Sequence, residues 1–252
     1  VREDVLEKMI HGMLSYFSDN VLDKKYLTLD KYLPIANEQI RIIERAKKLT
    51  VVIGGGIFGI LSALEISKKG YPVLLIEKAS EIITGASLVN QCRVHMGYHY
   101  PRDERTARDS RQAETAFRKF FDKAIVKNID NHYLVAKEGS ATSPEDFIVF
   151  CKKMNLPYKE SCPAETSISK EKISLSLKVP EVIFDASMIR DALNKKIDAS
   201  PNITLLIKTE VIGVKKNSGG FEVKYKSGNI VQTIDCAAII NATYGDINHI
   251  NK

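Results

Sequence analysis

The chain has 252 residues, of which 44% are apolar and 27% charged, an average globular composition that excludes fibrous and disordered classes and allows one large α/β domain or two smaller ones. No run of about 18 apolar residues occurs, so no helical membrane span is predicted. The 37 basic and 31 acidic side chains give +6, but nine basic and eight acidic residues are interleaved within 1–48 and no block of five like charges appears, which argues against a nucleic-acid partner.

In chain order, Val5, Leu6, Met9, Ile10, Met13, Leu14 and Phe17 form one apolar stripe on a predicted helix, and a polar helix runs from after Pro34 through Ile40 and Ile43 to Lys48. Residues 1–48 read as a helical N-terminal extension, covering the main domain or docking a protein partner. The period changes at Thr50. Thr50–Ile53 predicts a buried strand, Gly54–Gly59 a turn, Ile57–Lys69 a helix closed by Gly70, and Val73–Ile76 a second strand. This order requires a parallel pair with a right-handed crossover.

Asp103–Lys123 predicts a helix with Ala113, Ala116, Phe117, Phe120 and Phe121 inward and Arg102, Arg105, Arg108 and Arg111 on a solvated face. His132–Lys137 reads as a strand, and Ser143-Pro144-Glu145-Asp146 starts a helix running to about Met154. A strand at Ile173–Val179 follows, then a helix capped by Asp185 through Ile189, Leu193 and Ile197. Strands are predicted at Ile203–Val214, Phe221–Tyr225 and Ala237–Asn241, with turns at Gly219-Gly220 and Ser227-Gly228-Asn229. Cys92, Cys151, Cys162 and Cys236 show neither a Cys-x-x-Cys pair nor a His at zinc spacing, so reduced thiols and a cytoplasmic location are expected, with no metal. The start at Val1 has no signal-peptide pattern, so secretion is not indicated, although an upstream segment is compatible with the missing initiator Met.

The turn GGGIFG satisfies Gly-x-Gly-x-x-Gly through Gly54, Gly56 and Gly59. Gly54 permits the tight turn, Gly56 lets backbone approach a pyrophosphate, and Gly59 lets helix pack closely on strand. The helix N-terminus offers N–H groups and partial positive charge to phosphates. Glu77, eighteen residues after Gly59, stands where a carboxylate accepts from the hydroxyls of an adenosine ribose and repels a 2′-phosphate, which disfavours NADP. These features fit FAD and NAD equally.

The next stretch, Thr84 to Pro101, resembles the flavin-contacting segment of the FAD-dependent oxidoreductases that include D-amino-acid oxidase, glycine oxidase, L-2-hydroxyglutarate oxidase and glycerol-3-phosphate dehydrogenase. The matching residues are Gly85-Ala86-Ser87, Asn90-Gln91 and His95-x-Gly97-x-x-Tyr100. Downstream, Lys208-Thr209-Glu210-Val211 is similar to the segment whose backbone meets adenine, and Asn241-Ala242-Thr243-Tyr244 to the family's Asn-Ala-Thr-Gly, with Tyr244 in place of Gly and Gly245 following. The resemblance covers about Thr50 to Asp246. It implies FAD as cofactor, held by Gly54, Gly56, Ile57, Phe58, Gly59, Glu77, Lys78, Ala86, Ser87, Asn90, Gln91, His95, Val211, Ala242 and Thr243.

The implied fold is α/β: an FAD/NAD(P)-binding Rossmann-like domain (49–130 and 183–252) with a partial antiparallel substrate sheet (131–182) behind the 1–48 extension. The implied reaction oxidises a small amino acid, amine or 2-hydroxy acid by hydride transfer to flavin. Relatives continue beyond the Asn-Ala-Thr motif with more substrate sheet. The 252 residues are therefore expected to be part of a longer or split enzyme, or else a module that binds a dinucleotide without turnover. No catalytic residue is assigned; Cys92 and His95 are the candidates for a covalent flavin bond of the kind some relatives make.

Overall fold

The computed structural model describes residues 49–164 and 168–250. The expected 1–48 extension lies outside the described residues. Two compact units are present, one spanning residues 93–185 and the other 49–92 together with 186–250.

The second unit is built on a four-stranded parallel sheet. Its strands are β1 (Thr50–Ile53), β2 (Val73–Ile76), β9 (Ile203–Leu206) and β13 (Ala238–Asn241), in the order β13-β1-β2-β9. All of β1 and β2 is buried, as expected for short apolar strands covered on both faces. Helix α1 (Ile57–Lys68) makes the crossover from β1 to β2 and buries Ile57, Gly59, Ile60, Leu61, Ala63, Ile66 and Ser67. Gly70, at φ +86°, closes it by donating to Ser67 O. A short helix, α2 (Ala86–Val89), follows β2.

A three-stranded antiparallel sheet covers the other face of this parallel sheet. Its members are β10 (Thr209–Asn217), β11 (Gly220–Ser227) and β12 (Ile230–Cys236). Val51, Ile53, Leu74 and Ile76 pack there against Val223, Tyr225 and Cys236. The single strand expected over Ile203–Val214 is two strands: Lys208 takes φ +51°, and its N–H leaves the ladder to donate to Ala79 O. The chain thereby passes from one sheet to the other, a break that the continuous apolar alternation conceals. β12 was not anticipated either; five of its seven residues are exposed, and it reaches the core only through Ile234 and Cys236.

The 93–185 unit contains two small antiparallel sheets. One has the order β3-β8-β4, from β3 (Arg93–Val94), β8 (Val182–Phe184) and β4 (Ile125–Val126). The other has the order β5-β7-β6, from β5 (Asn131–Ala136), β7 (Ile173–Val179) and β6 (Lys159–Glu160). Helices α3 (Glu104–Phe120) and α4 (Pro144–Lys153) complete it. The unit takes in residues 93–130, grouped above with the nucleotide-binding half, because β3 and β4 both pair with β8. Its core joins Tyr98, Ala107, Phe147, Phe150, Cys151 and Leu177.

Asp103 caps α3 by accepting from the N–H groups of Arg105 and Thr106, and Ser143 caps α4 by accepting from Asp146 N. The face that α3 buries is more polar than expected: Thr106, Ala107, Ser110, Glu114 and Ala116. Ala113, Phe117 and Phe120 are only partly covered. Arg111 belongs to no plain solvated face either, since its Nη1 donates to Met154 O (2.6 Å) and Asn155 O (3.0 Å), the exposed carbonyls at the end of α4.

Candidate cofactor site

Parallel strands deliver their following loops to one edge, so the turns after β1, β2 and β13 meet. The register pairs Ile53 with both Ile76 and Asn241, which sets Gly54, Glu77 and Ala242 side by side. Gly54 N donates to Ile76 O and Ala242 N to Ile53 O, each at 2.8 Å.

The three glycines of the motif do different work. Gly54 has φ +107°, and a Cβ on it would stand 2.7 Å from Ala242 O. Gly59 packs α1 against the turn so closely that a Cβ would lie 1.9 Å from Gly54 O. Gly56 is the N-cap of α1, at φ −74° and ψ 174°, and a Cβ there would meet only Ser87 Oγ, at 3.5 Å. Gly54 and Gly59 are thus required by the protein itself. Gly56 is not; its missing side chain leaves open space in front of the helix start, where Ile57 and Phe58 begin α1.

Glu77 ends β2 and reaches back to the turn. Its Oε2 accepts from Gly55 N at 2.5 Å and its Oε1 from Ala79 N at 2.7 Å. Each carboxylate oxygen carries a second lone pair, so acceptor capacity for ribose hydroxyls is retained. Ser87, in α2, accepts from Ile57 N at 3.2 Å, which ties the Ala86–Gln91 segment to the start of α1. Asn90 and Gln91 are exposed; Asn90 Oδ1 accepts from Cys92 N, and Gln91 and Cys92 both have positive φ. Thr209 N donates to Glu77 O at 3.0 Å, which fixes the start of β10 beside the strand-end acid, with Val211 two residues further on.

After β13, Asn241 Oδ1 accepts from Thr243 N (3.2 Å) and Thr243 Oγ1 (2.6 Å), holding Ala242 and Thr243 in a tight turn. Tyr244 adopts φ +55°, the left-handed conformation that a glycine takes without strain and other residues adopt at a cost of about 1–2 kcal/mol. The left-handed backbone at this position is therefore carried by Tyr244 itself and not by Gly245.

Sequence reasoning missed three participants. Asp246 pairs with Lys78 at 2.5 Å; the hydrogen bond to Asp246 raises the Lys78 ammonium pKa, while the lysine lowers that of the Asp246 carboxyl. Arg190, in helix α5 (Ala186–Asp198), binds Glu81 at 2.5 Å and Ile83 O at 3.3 Å. Ile83, at φ +57°, donates to Gly55 O at 2.9 Å. No short-range pattern marks either contact, since both join segments far apart in the chain. Arg190 thus supports the glycine turn through Ile83, and Arg190→Met is expected to weaken FAD retention by about tenfold, the size of one lost charge-assisted hydrogen bond. Fluorescence titration of FAD into the apoprotein measures it; an unchanged Kd rejects the role.

His95 lies in the 93–185 unit, with its side chain 20% exposed. Its Nδ1 is 3.5 Å from Tyr133 Oη and 3.8 Å from Oε2 of Glu181, the third residue missed. Gly97, two residues on, has φ +110°, and a Cβ there would sit 2.7 Å from Ala107 O, so the glycine of His-x-Gly seats this loop on α3. The Tyr98 side chain is fully buried and its hydroxyl donates to Pro157 O. Among the described residues the cysteines form no disulfide; burial pushes the Cys151 and Cys236 thiols up to about 11, which leaves both unreactive at neutral pH. Among the described residues no group of three or more His, Cys, Asp or Glu is placed to hold a metal, and no helix is long and apolar enough to cross a membrane.

A family model described as FAD dependent oxidoreductase (DAO) matches residues 50–249. The FAD-dependent monooxygenase kojA of Aspergillus flavus is 36% identical over 93 residues, covering 37% of this chain and 22% of that protein. The mitochondrial L-2-hydroxyglutarate dehydrogenase of Arabidopsis thaliana is 30% identical over 96 residues, 38% of this chain and 20% of that one. Among solved structures, glycine oxidase from Geobacillus kaustophilus superposes with a TM-score of 0.58 at 18% identity, covering 77% of this chain and 55% of its own. L-proline dehydrogenase from P. horikoshii gives 0.58 at 24% identity, covering 80% and 54%. The chain spans about half the length of these solved structures, and the matched segments about a fifth of the curated relatives.

Proposed function

Because the chain belongs to the DAO family of FAD-dependent oxidoreductases, we propose that it binds FAD across the glycine turn and oxidises a small amino acid, amine or 2-hydroxy acid. The observation that carries this reading is the meeting of Gly54, Glu77 and Ala242 at one sheet edge, with a space at Gly56 that the protein's own packing does not require. In this reading the start of α1, with Ile57, Phe58 and Ser87, holds the pyrophosphate. Glu77 holds the ribose of the adenosine end, beside Lys78 and Val211. Ala86, Asn90, Gln91, Ala242 and Thr243 line the remainder, and His95 is assigned to the flavin by the sequence resemblance alone.

When bound, FAD supplies the hydride acceptor. The chain's own residues orient it and neutralise it: the α1 N-terminus offsets phosphate charge, and Glu77, already held by two backbone amides, presents fixed acceptors that need no reordering on binding. Thiols rather than disulfides suit a reducing compartment, and we place the protein in the cytoplasm. The names of the relatives, an L-2-hydroxyglutarate dehydrogenase and a glycine oxidase among them, support a small acid as substrate.

Purified protein is expected to show the yellow absorption of oxidised flavin, bleached anaerobically by a member of a panel of amino acids, amines and 2-hydroxy acids. A protein that retains flavin but is bleached by no member of the panel has the site without the turnover, and the reading as a binding module then replaces the enzymatic one. A protein that stays colourless after incubation with FAD, yet binds NAD, refutes the cofactor assignment.

A further inference from the structure

Glu181 lies between β7 and β8 with its side chain wholly enclosed, at 0% exposure. A carboxylate survives there only where donors replace the lost water. Met96 N donates to Oε1 at 2.7 Å, the Tyr133 hydroxyl donates to Oε2 at 2.9 Å, and Arg93 Nε stands 3.9 Å from Oε2. Arg93 is held in turn by Asn131 Oδ1 and lies over the Tyr133 ring, 4.8 Å from its centroid. Burial pushes the Glu181 carboxyl up, but the donors facing it, His95, the Met96 amide and Tyr133, outweigh burial and hold it below its usual range.

Two oxygens approach His95 Nδ1, and both present lone pairs to it. Tyr133 has its proton committed to Glu181, so its oxygen faces Nδ1 as an acceptor at 3.5 Å; the Glu181 carboxylate lies behind at 3.8 Å. The remaining ring neighbours, His99 at 5.2 Å and Tyr100 at 6.3 Å between centroids, stand off at ring-packing distance. An imidazole whose Nδ1 meets only acceptors carries its proton there and leaves Nε2 as the basic nitrogen.

We propose that Glu181, acting through Tyr133, is a positioning residue that fixes His95 in the Nδ1–H tautomer and presents Nε2 as the acceptor for a substrate O–H or N–H. The second half rests on the reading above that assigns His95 to the flavin; the tautomer does not. In that reaction the substrate proton would pass to Nε2, and the electron pair of the broken O–H or N–H bond would become the second bond of the C=O or C=N product, with bound FAD supplying the hydride acceptor. The positive charge left on His95 is balanced by Glu181.

The test is nitrogen NMR of the chain labelled with 15N-histidine, at a pH where imidazole is neutral, with His95 assigned by its loss in His95→Gln. The unaltered protein is expected to show His95 protonated at Nδ1. Glu181→Gln, which keeps the side chain's shape and an acceptor for Met96 N, and Tyr133→Phe are both expected to move the ring toward the Nε2–H form. A His95 already in the Nε2–H form in the unaltered protein overturns the proposal without need of a variant, and so does a signal indifferent to Glu181→Gln. With FAD bound, Glu181→Gln is further expected to slow bleaching by about 10–100-fold while FAD retention is unchanged. A tautomer that responds as stated, in a protein bleached by no substrate, upholds the Glu181 assignment and rejects the activity.

Discussion

Gly56→Val is expected to give a protein that folds normally and retains no FAD. The backbone at Gly56 has φ −74° and ψ 174°, extended geometry that a β-branched residue adopts without strain. A Cβ there meets only Ser87 Oγ at ordinary contact distance, so the core of the unit is untouched. The added methyl groups instead fill the space before the α1 N-terminus, where the phosphates are proposed to lie. Losing close approach along with the amide contacts removes about 3 kcal/mol or more of binding, roughly a hundredfold in Kd. Circular dichroism and thermal unfolding check the fold, and the ratio of flavin to protein absorbance checks the ligand. Full flavin content in the purified variant would contradict the assignment of this turn.

Gly59→Ala is expected to do the opposite, harming the fold before the ligand. Its Cβ would be driven to 1.9 Å from Gly54 O and 3.1 Å from Gly54 C. Both are backbone atoms of a turn already held by hydrogen bonds from Gly54 N to Ile76 O and from Ala242 N to Ile53 O. No side chain can swing away to relieve the clash, so α1 must lift from β1. Overpacking of this kind costs about 3 kcal/mol, a fall in Tm of roughly 6–12 °C for a chain of this size. A melting curve that overlays that of the unaltered protein excludes the close packing described. The two glycines lie three residues apart in one motif, and the pair of variants separates what the motif does for the protein from what it does for the ligand.

The strand-turn-helix-strand segment was legible because its determinants are local. Thr50–Ile53, Val73–Ile76 and Ile173–Val179 were bounded correctly from apolar runs and flanking turn residues, and both Ser143 and Asp103 mark helix starts by cap chemistry that needs no tertiary information. The site was legible where it is made of motif residues and illegible where it is made of supports. Lys78 was noticed but its partner Asp246 was not; the glycine turn was noticed but not Ile83 and Arg190 behind it; His95 was noticed but not Glu181. Apart from Ile83, each missing residue is a charged side chain whose role depends on a neighbour distant in sequence, and nothing in spacing or period distinguishes it from a solvated one. The break at Lys208 was hidden likewise, since Ala79 O decides it.

The partnership of β1 with β13 has a temporal consequence. β1 is central in its sheet, and one of its two neighbours is supplied by residues 238–241, almost the whole described chain later. Closing a loop of that length is entropically costly and slows folding relative to local contacts. During synthesis, Gly54–Gly59 leaves the ribosome long before Ala242, whose carbonyl stands against Gly54 and whose amide caps Ile53. The proposed nucleotide site therefore cannot be assembled stepwise as its motif emerges; it comes into being only when β13 docks. Until then β1 presents an unpaired edge of Val and Ile to its surroundings, the interval in which this chain is most exposed to aggregation.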